Sequence, residues 1–99
     1  MNSNGKTKTA KVEIEVTGMK QAFNTWTMAT ATVAGKTYQI QMVCFEEPSQ
    51  YGIGEGRISK LYIADADHTM LANYDRGWDK RPATATAKAI VNAVTAKFN

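Results

Sequence analysis

The chain has little of what marks several specialised classes of protein. Its 99 residues include one cysteine, one histidine and two prolines. There is no run of about 18 apolar residues, so we expect no membrane span. Residues 1–9 lack the apolar stretch of a signal peptide. Because a lone Cys44 cannot form an internal disulfide, we expect a cytoplasmic protein in a reducing compartment.

Residues suited to metal or nucleophile chemistry are equally scarce. Asp65, Asp67 and His68 stand close together in the sequence. A zinc site needs three or four suitable ligands, and a calcium loop needs more oxygen ligands and a closing glutamate. We therefore interpret them as turn residues and expect no metal and no cofactor. Cys44 lies on the apolar face of a predicted strand, which favours a small core residue, and nothing in the sequence places it beside His68 as a nucleophile.

Positive charge is concentrated at the start of the chain. The formal net charge is +3, and Lys6, Lys8 and Lys11 supply three positive charges. From residue 12 onward, nine Lys and Arg balance nine Asp and Glu. Nucleic-acid binders usually concentrate basic residues on one face of the fold. Nucleic-acid binding through the basic tail and a strand face is therefore an alternative function and not the leading one.

Alternation of polar and apolar residues at 11–17 and β-branched residues at 26–33 predict the first two of five strands, and the others are predicted at 37–45, 57–63 and 70–74. On the third strand, one side is predicted to carry Tyr38, Ile40, Met42 and Cys44, and the other side Gln39 and Gln41. The Ala34-Gly35 pair predicts a two-residue hairpin between the second and third strands. Connections this short favour an antiparallel meander. Residues 1–9 have no periodicity, so we expect a disordered N-terminal tail there and a single domain over residues 10–99.

One helix is predicted from about residue 84 to residue 97. Apolar residues recur there at helical spacing, and Thr84 is a suitable N-cap. The helix is the only predicted element able to cover the sheet. We predict an α+β fold of two layers, a five-stranded antiparallel sheet with the C-terminal helix on one face. The expected contacts join the helix residues Val91, Val94 and Phe98 to the strand residues Ile14, Met42 and Leu61 or their neighbours.

The segment 74–79 (YDRGWD) groups two acids, one arginine and two aromatics around a glycine. Tyr, Trp and Arg often anchor protein interfaces because they bury large areas. One interpretation is a partner-binding patch anchored by Trp78. The other is a structural corner between the last strand and the helix, with Asp75 paired to Arg57 or Arg76 and Gly77 in a left-handed turn. The patch would consist of Tyr51, Arg57, Arg76, Trp78 and Asp79.

Two further loops carry weaker signals. The glycine-rich segment 51–57 leads into a strand and lacks the Gly-Lys-Ser/Thr ending of a phosphate loop, so we interpret it as a turn or bulge. A small hydrolase with two loop carboxylates is a further alternative. The candidate acids are Glu46, Glu47, Glu55, Asp75 and Asp79.

Three segments together resemble a family of small uncharacterised proteins from Gram-positive bacteria and their phages and mobile elements. They are EPS.YGI at 47–53, GRISKL at 56–61 and YDRGWD at 74–79. The resemblance extends over about half of the chain. It implies an accessory role in a mobile-element setting, where small proteins often inhibit host defence systems, as anti-CRISPR proteins do. It implies no activity and no catalytic residue.

The leading hypothesis is therefore a non-enzymatic module that binds a host protein. The nucleic-acid and hydrolase hypotheses remain as alternatives. An exposed sheet edge would also permit a homodimer through strand pairing.

Overall fold

The computed structural model describes residues 11–17 and 25–99 and arranges them as one sheet and one helix. A short 3-10 turn, Ile53–Glu55, lies in the loop before β4, and the helix α1 spans Ala85–Phe98. Sheet order follows chain order, and every neighbouring pair is antiparallel. The predicted α+β meander with a C-terminal helix is confirmed. The strands are β1 Val12–Thr17, β2 Trp26–Val33, β3 Lys36–Cys44, β4 Ile58–Ala64, β5 Met70–Asp75 and β6 Trp78–Lys80.

The strand count corrects the prediction, since the described sheet has six strands and not five. The additional strand, β6, begins inside the segment interpreted as a corner between the last strand and the helix and ends one residue after it. It pairs with β5 through Tyr74 opposite Trp78 and Asn73 opposite Lys80. A strand of three residues with one apolar side chain is too short to show alternation, so the sequence pattern could not reveal it.

The β2–β3 hairpin follows its turn residues closely. Ala34 and Gly35 have φ angles of 53° and 80°. A two-residue type I′ turn requires positive φ at both positions. Along β3, Ile40 and Met42 are fully buried, whereas the side chain of Gln39 is exposed. The predicted hairpin and the predicted faces of β3 are confirmed.

The helix begins at its predicted cap and covers one face of the sheet. The Thr84 hydroxyl Oγ1 accepts a hydrogen bond from the Ala87 N–H at 3.0 Å. This bond satisfies one of the N–H groups that the first helical turn leaves unpaired. The predicted contacts are confirmed: one buried cluster contains Met42, Leu61, Val91, Val94 and Phe98, and Ile14 packs against it. We call this side of the sheet the covered face.

The other side, which we call the open face, has no described helix or strand packed on it. Strand register places Trp26, Val43, Lys60 and Asp75 in one row across four strands. The next row contains Thr17, Met28, Gln41, Tyr62, Asn73 and Lys80. Most of these side chains are polar, as expected for a face in contact with water.

The predicted disordered tail, residues 1–9, lies outside the described residues. Within the described part of the chain, no helix is both long enough and apolar enough to traverse a bilayer.

Candidate protein-binding surface

Residues 74–79 form a tight hairpin between β5 and β6. The Asp75 N–H donates to the Gly77 carbonyl at 2.8 Å, and the Arg76 N–H donates to the Ser59 carbonyl at 2.9 Å. Arg76 has a φ of 56°, whereas Gly77 lies outside the left-handed region. The predicted left-handed Gly77 is therefore wrong. Arg76 takes that conformation, and its bond to β4 helps to hold it there.

Trp78 lies on the covered side of this hairpin. Its ring meets the Tyr74 ring edge to face, with centroids 5.0 Å apart and an interplanar angle of 77°. Trp78 is half-buried and packs against the core cluster, of which Tyr74 is a member. Edge-to-face aromatic pairs add stability beyond the area they bury. Trp78 therefore closes the β6 end of the core while part of its ring remains in solvent.

Arg57 and Asn99 join the helix end to the loop before β4. The Arg57 guanidinium Nη2 donates to the Phe98 carbonyl at 2.9 Å. The Asn99 amide oxygen Oδ1 accepts from the N–H groups of Arg57 and Ile58 at 2.7 and 3.0 Å. The Asn99 Nδ2 donates to the Ile53 carbonyl at 2.8 Å. A cation at the last carbonyls of a helix also complements its dipole, so Arg57 stabilises the helix end.

The glycine-rich loop is closed by its own backbone. A Cβ on Gly52 would lie 2.0 Å from the Gly56 carbonyl oxygen, a distance that no side chain tolerates. Gly54 has a φ of 58°, as the turn interpretation predicts. The Tyr74 hydroxyl donates to the Tyr51 carbonyl at 2.8 Å, while the Tyr51 residue is 53% exposed. These contacts hold the loop as a turn and leave the Tyr51 side chain largely in solvent.

The five residues predicted as a contact patch do not share one side of the fold. Arg57 and Trp78 contact the helix end and the covered core. Arg76 lines a groove on the open face, and its Nε lies 3.7 Å from the Asp75 carboxylate. The Asp79 carboxylate approaches the Asn73 amide, an open-face residue, at 3.5 Å. The structure therefore places Arg76 and Asp79 on the open side, away from Arg57 and Trp78.

The groove that Arg76 lines has Trp26 as its largest side chain. Trp26 is 52% exposed, and the Lys60 ammonium lies 5.9 Å from its ring centroid. Met28, two residues further along β2, is 44% exposed. We define the Trp26 patch as Trp26, Met28, Val43, Phe45, Lys60 and Arg76. The groove within it has a volume of about 410 Å³ and is also lined by Thr25 and Ser59.

Trp26 and Met28 are the candidate surface residues that sequence reasoning missed. The alternation of side-chain direction along β2 could have revealed them. Ala29 and Ala31 are buried on the covered face, and residues of opposite parity must point to the other face. Two large apolar side chains at the start of β2 therefore fall among threonines on the open side.

The remaining candidate sites have structural explanations. The Asp65 carboxylate Oδ1 accepts from the N–H groups of Asp67 and Thr69, both at 2.9 Å, which confirms the turn interpretation. No group of three or more His, Cys, Asp or Glu within the described ranges could hold a metal ion. Cys44 is fully buried, as predicted for a core residue. The acids proposed for hydrolysis are all exposed: Glu46, Glu47, Glu55, Asp75 and Asp79.

Residues 25–99 match the model of a protein family described as Domain of unknown function (DUF7678). The chain belongs to the DUF7678 family. No curated protein and no solved structure matches it. Membership of a family of unknown function agrees with the uncharacterised family that the sequence resembles. The DUF7678 match contains β2 to β6 and α1, hence the whole Trp26 patch, and begins after β1.

Proposed function

We propose that this DUF7678 protein is a non-enzymatic module that binds a protein partner on the Trp26 patch. The observation that carries the proposal is the exposure of Trp26 and Met28, 52% and 44%, on a sheet face that no described helix or strand covers. Soluble monomers rarely leave contiguous large apolar side chains in water unless the patch has a function. A tryptophan that is buried in a pocket of the partner often contributes a large share of the binding energy of a protein interface.

The composition of the patch indicates what the partner presents. Lys60 lies near the Trp26 ring, and the Arg76 side chain, 65% exposed, lines the same groove. The Arg76–Asp75 pair is exposed and therefore weak, so a partner can replace Asp75 at little cost. We expect the partner to combine an apolar side chain facing Trp26 with carboxylates that reach Lys60 and Arg76.

The patch predicted from the sequence is revised in this proposal. Arg76 is kept and Trp26 replaces Trp78 as the anchor, because Trp78 already packs on the core. Asp79 lies on the same side of the sheet and adds a negative charge there. Tyr51 and Arg57 stay predictions outside the Trp26 patch, and Tyr51 is an exposed residue.

The biological setting of the proposal comes from the sequence resemblance. It comprises a mobile-element origin and inhibition of a host defence system, in the manner of an anti-CRISPR protein. The cytoplasmic setting is inferred from the single cysteine. These points are narrower than the binding proposal, which does not depend on them.

Single-stranded nucleic acid is the second candidate partner, and one observation favours it. A base could stack on the exposed Trp26 ring while its phosphates contact Lys60 and Arg76. The Trp26 patch also contains the apolar side chains of Met28, Val43 and Phe45, which a phosphate backbone would not bury. This apolar content ranks the protein partner first.

A comparison of three immobilised chains tests the proposal. We expect a host protein captured by the original chain to be retained by Met70→Ala and lost with Trp26→Ala. Met70 is the control because it is also an exposed apolar residue, 37% accessible, and lies outside the patch. Equal thermal unfolding of the three chains excludes misfolding as the cause.

Binding of a labelled single-stranded oligonucleotide separates the two candidates. Oligonucleotide binding that weakens steeply with salt and is lost in Trp26→Ala would support the nucleic-acid candidate instead. If Trp26→Ala keeps every captured protein, the Trp26 patch is not the binding surface.

A further inference from the structure

β1 is an edge strand whose outer side lies beside an apolar groove. Among the described residues, β1 pairs with β2 alone. Val12 and Ile14 are only partly buried and, together with Ala93, Ala96 and Lys97 of α1, line a groove of about 320 Å³. Unpaired backbone groups next to incompletely buried apolar side chains form a template for another strand.

The other side of the same strand is acidic. Glu13 and Glu15 alternate with the apolar residues and are exposed on the open face. Lys11 lies 3.5 Å from the Glu13 carboxylate, but both side chains are highly exposed, so this pair is weak. The edge therefore presents apolar side chains toward the helix and carboxylates toward the open face.

A second copy of the chain is a poor occupant of this edge. Antiparallel pairing of two β1 strands centred on Ile14 sets Glu13 opposite Glu15 of the other copy. Centring the pair on either glutamate sets that residue opposite itself. Centring it on Val12 sets Glu13 opposite Lys11 but pairs only residues 11–13 of the described segment. Like charges directly opposite one another destabilise a strand pair. The acidic pattern therefore disfavours the homodimer through β1 and favours an occupant of opposite charge.

We infer that β1 accepts an extended segment of a partner protein as an added strand, in which apolar residues alternate with lysine or arginine. The apolar side chains would enter the groove between β1 and α1, and the basic side chains would lie opposite Glu13 and Glu15. Strand addition obtains affinity from backbone hydrogen bonds and specificity from alternate side chains. Both the apolar and the basic residues of the added segment therefore contribute to recognition.

The inference goes beyond the proposed function because it concerns a different surface. Glu13 pairs with Thr32, six residues along β2 from Trp26, which corresponds to about 20 Å of strand. β1 also lies outside the residues that match the DUF7678 family. The added strand is therefore a property expected of this chain and not of the family domain as a whole.

A blocked peptide, Thr-Val-Lys-Ile-Lys-Val-Thr, tests the inference by fluorescence anisotropy with the full chain. We expect saturable binding, together with slower hydrogen exchange of the β1 amides. The first control peptide has glutamate in place of both lysines. The second has N-methyl groups on alternate backbone nitrogens along one edge. The first reverses the charge and the second keeps every side chain but cannot complete the ladder. Both should bind at least about tenfold more weakly, since repulsion opposes the first and lost hydrogen bonds the second.

A charge exchange in the protein makes the test reciprocal. The double variant Glu13→Lys/Glu15→Lys should prefer the glutamate peptide. The matched variant Glu46→Lys/Glu47→Lys changes net charge equally at exposed loop residues and should keep the original preference. The inference is overturned if the β1 variant still prefers the lysine peptide, if the N-methylated peptide binds equally, or if the lysine peptide fails to bind at millimolar concentration.

Failure of this inference and failure of the proposed function are distinguishable. Trp26→Ala should bind the lysine peptide as the original chain does. If Trp26→Ala abolishes peptide binding, the peptide occupies the open face and the added strand at β1 is wrong, while the Trp26 patch stands.

Discussion

The covered and open faces of this sheet are formed by alternate residues of the same strands, yet they differ in composition and role. The covered face is aliphatic, with Ile40, Met42, Leu61 and Ile63 excluded from water by α1. The open face is mainly polar, and its large apolar side chains are concentrated near the start of β2. Stability therefore depends on one face, which leaves the other available for recognition.

The largest expected difference comes from equivalent truncations on the two faces. Ile63→Ala removes a fully buried side chain and should lower the free energy of unfolding by about 2–5 kcal/mol. Met28→Ala removes an exposed side chain and should change it by less than about 0.5 kcal/mol. Urea denaturation of both variants measures the contrast. If Met28→Ala costs as much as Ile63→Ala, something covers the open face in solution and the comparison fails.

The next effect concerns the helix that creates the covered face. Asn99→Ala removes one acceptor and one donor that together bond Ile53, Arg57 and Ile58 to the helix end. Backbone groups left without partners should cost about 1–3 kcal/mol. The loop N–H groups should also exchange faster with solvent, which NMR can follow.

Asn92→Ala is the matched control for that variant, because Asn92 is exposed in the middle of α1. It should be neutral or slightly stabilising, since alanine is the better helix former. Equal loss in both variants would show that the Asn99 bonds do not hold the helix in place.

The smallest effect tests the polarity of the covered face. The Thr27 hydroxyl is buried and has no hydrogen-bond partner within the described part of the chain. Thr27→Val should therefore raise the free energy of unfolding by about 1 kcal/mol, since an unsatisfied polar atom is removed at nearly constant shape. Thr32→Val, on the open face, should remain within about 0.5 kcal/mol. A destabilised Thr27→Val protein would mean that the hydroxyl is satisfied in solution.

Several features were predictable because neighbouring residues decide them. Alternation identified the faces of β3, Ala34-Gly35 identified the hairpin, and Thr84 identified the start of α1. The β5–β6 hairpin was not predictable in this way. Its left-handed residue is Arg76 and not Gly77, and its three-residue second strand shows no periodicity.

The sequence by itself determined which residues share a side of each strand, because side-chain direction alternates along any strand whatever surrounds it. Only the tertiary structure decided which side α1 covers, and hence that Trp26 is exposed while Trp78 packs against the core. It also decided that Asn99 bonds to residues more than 40 positions earlier. Such contacts depend on how the whole chain packs, and no local pattern encodes them.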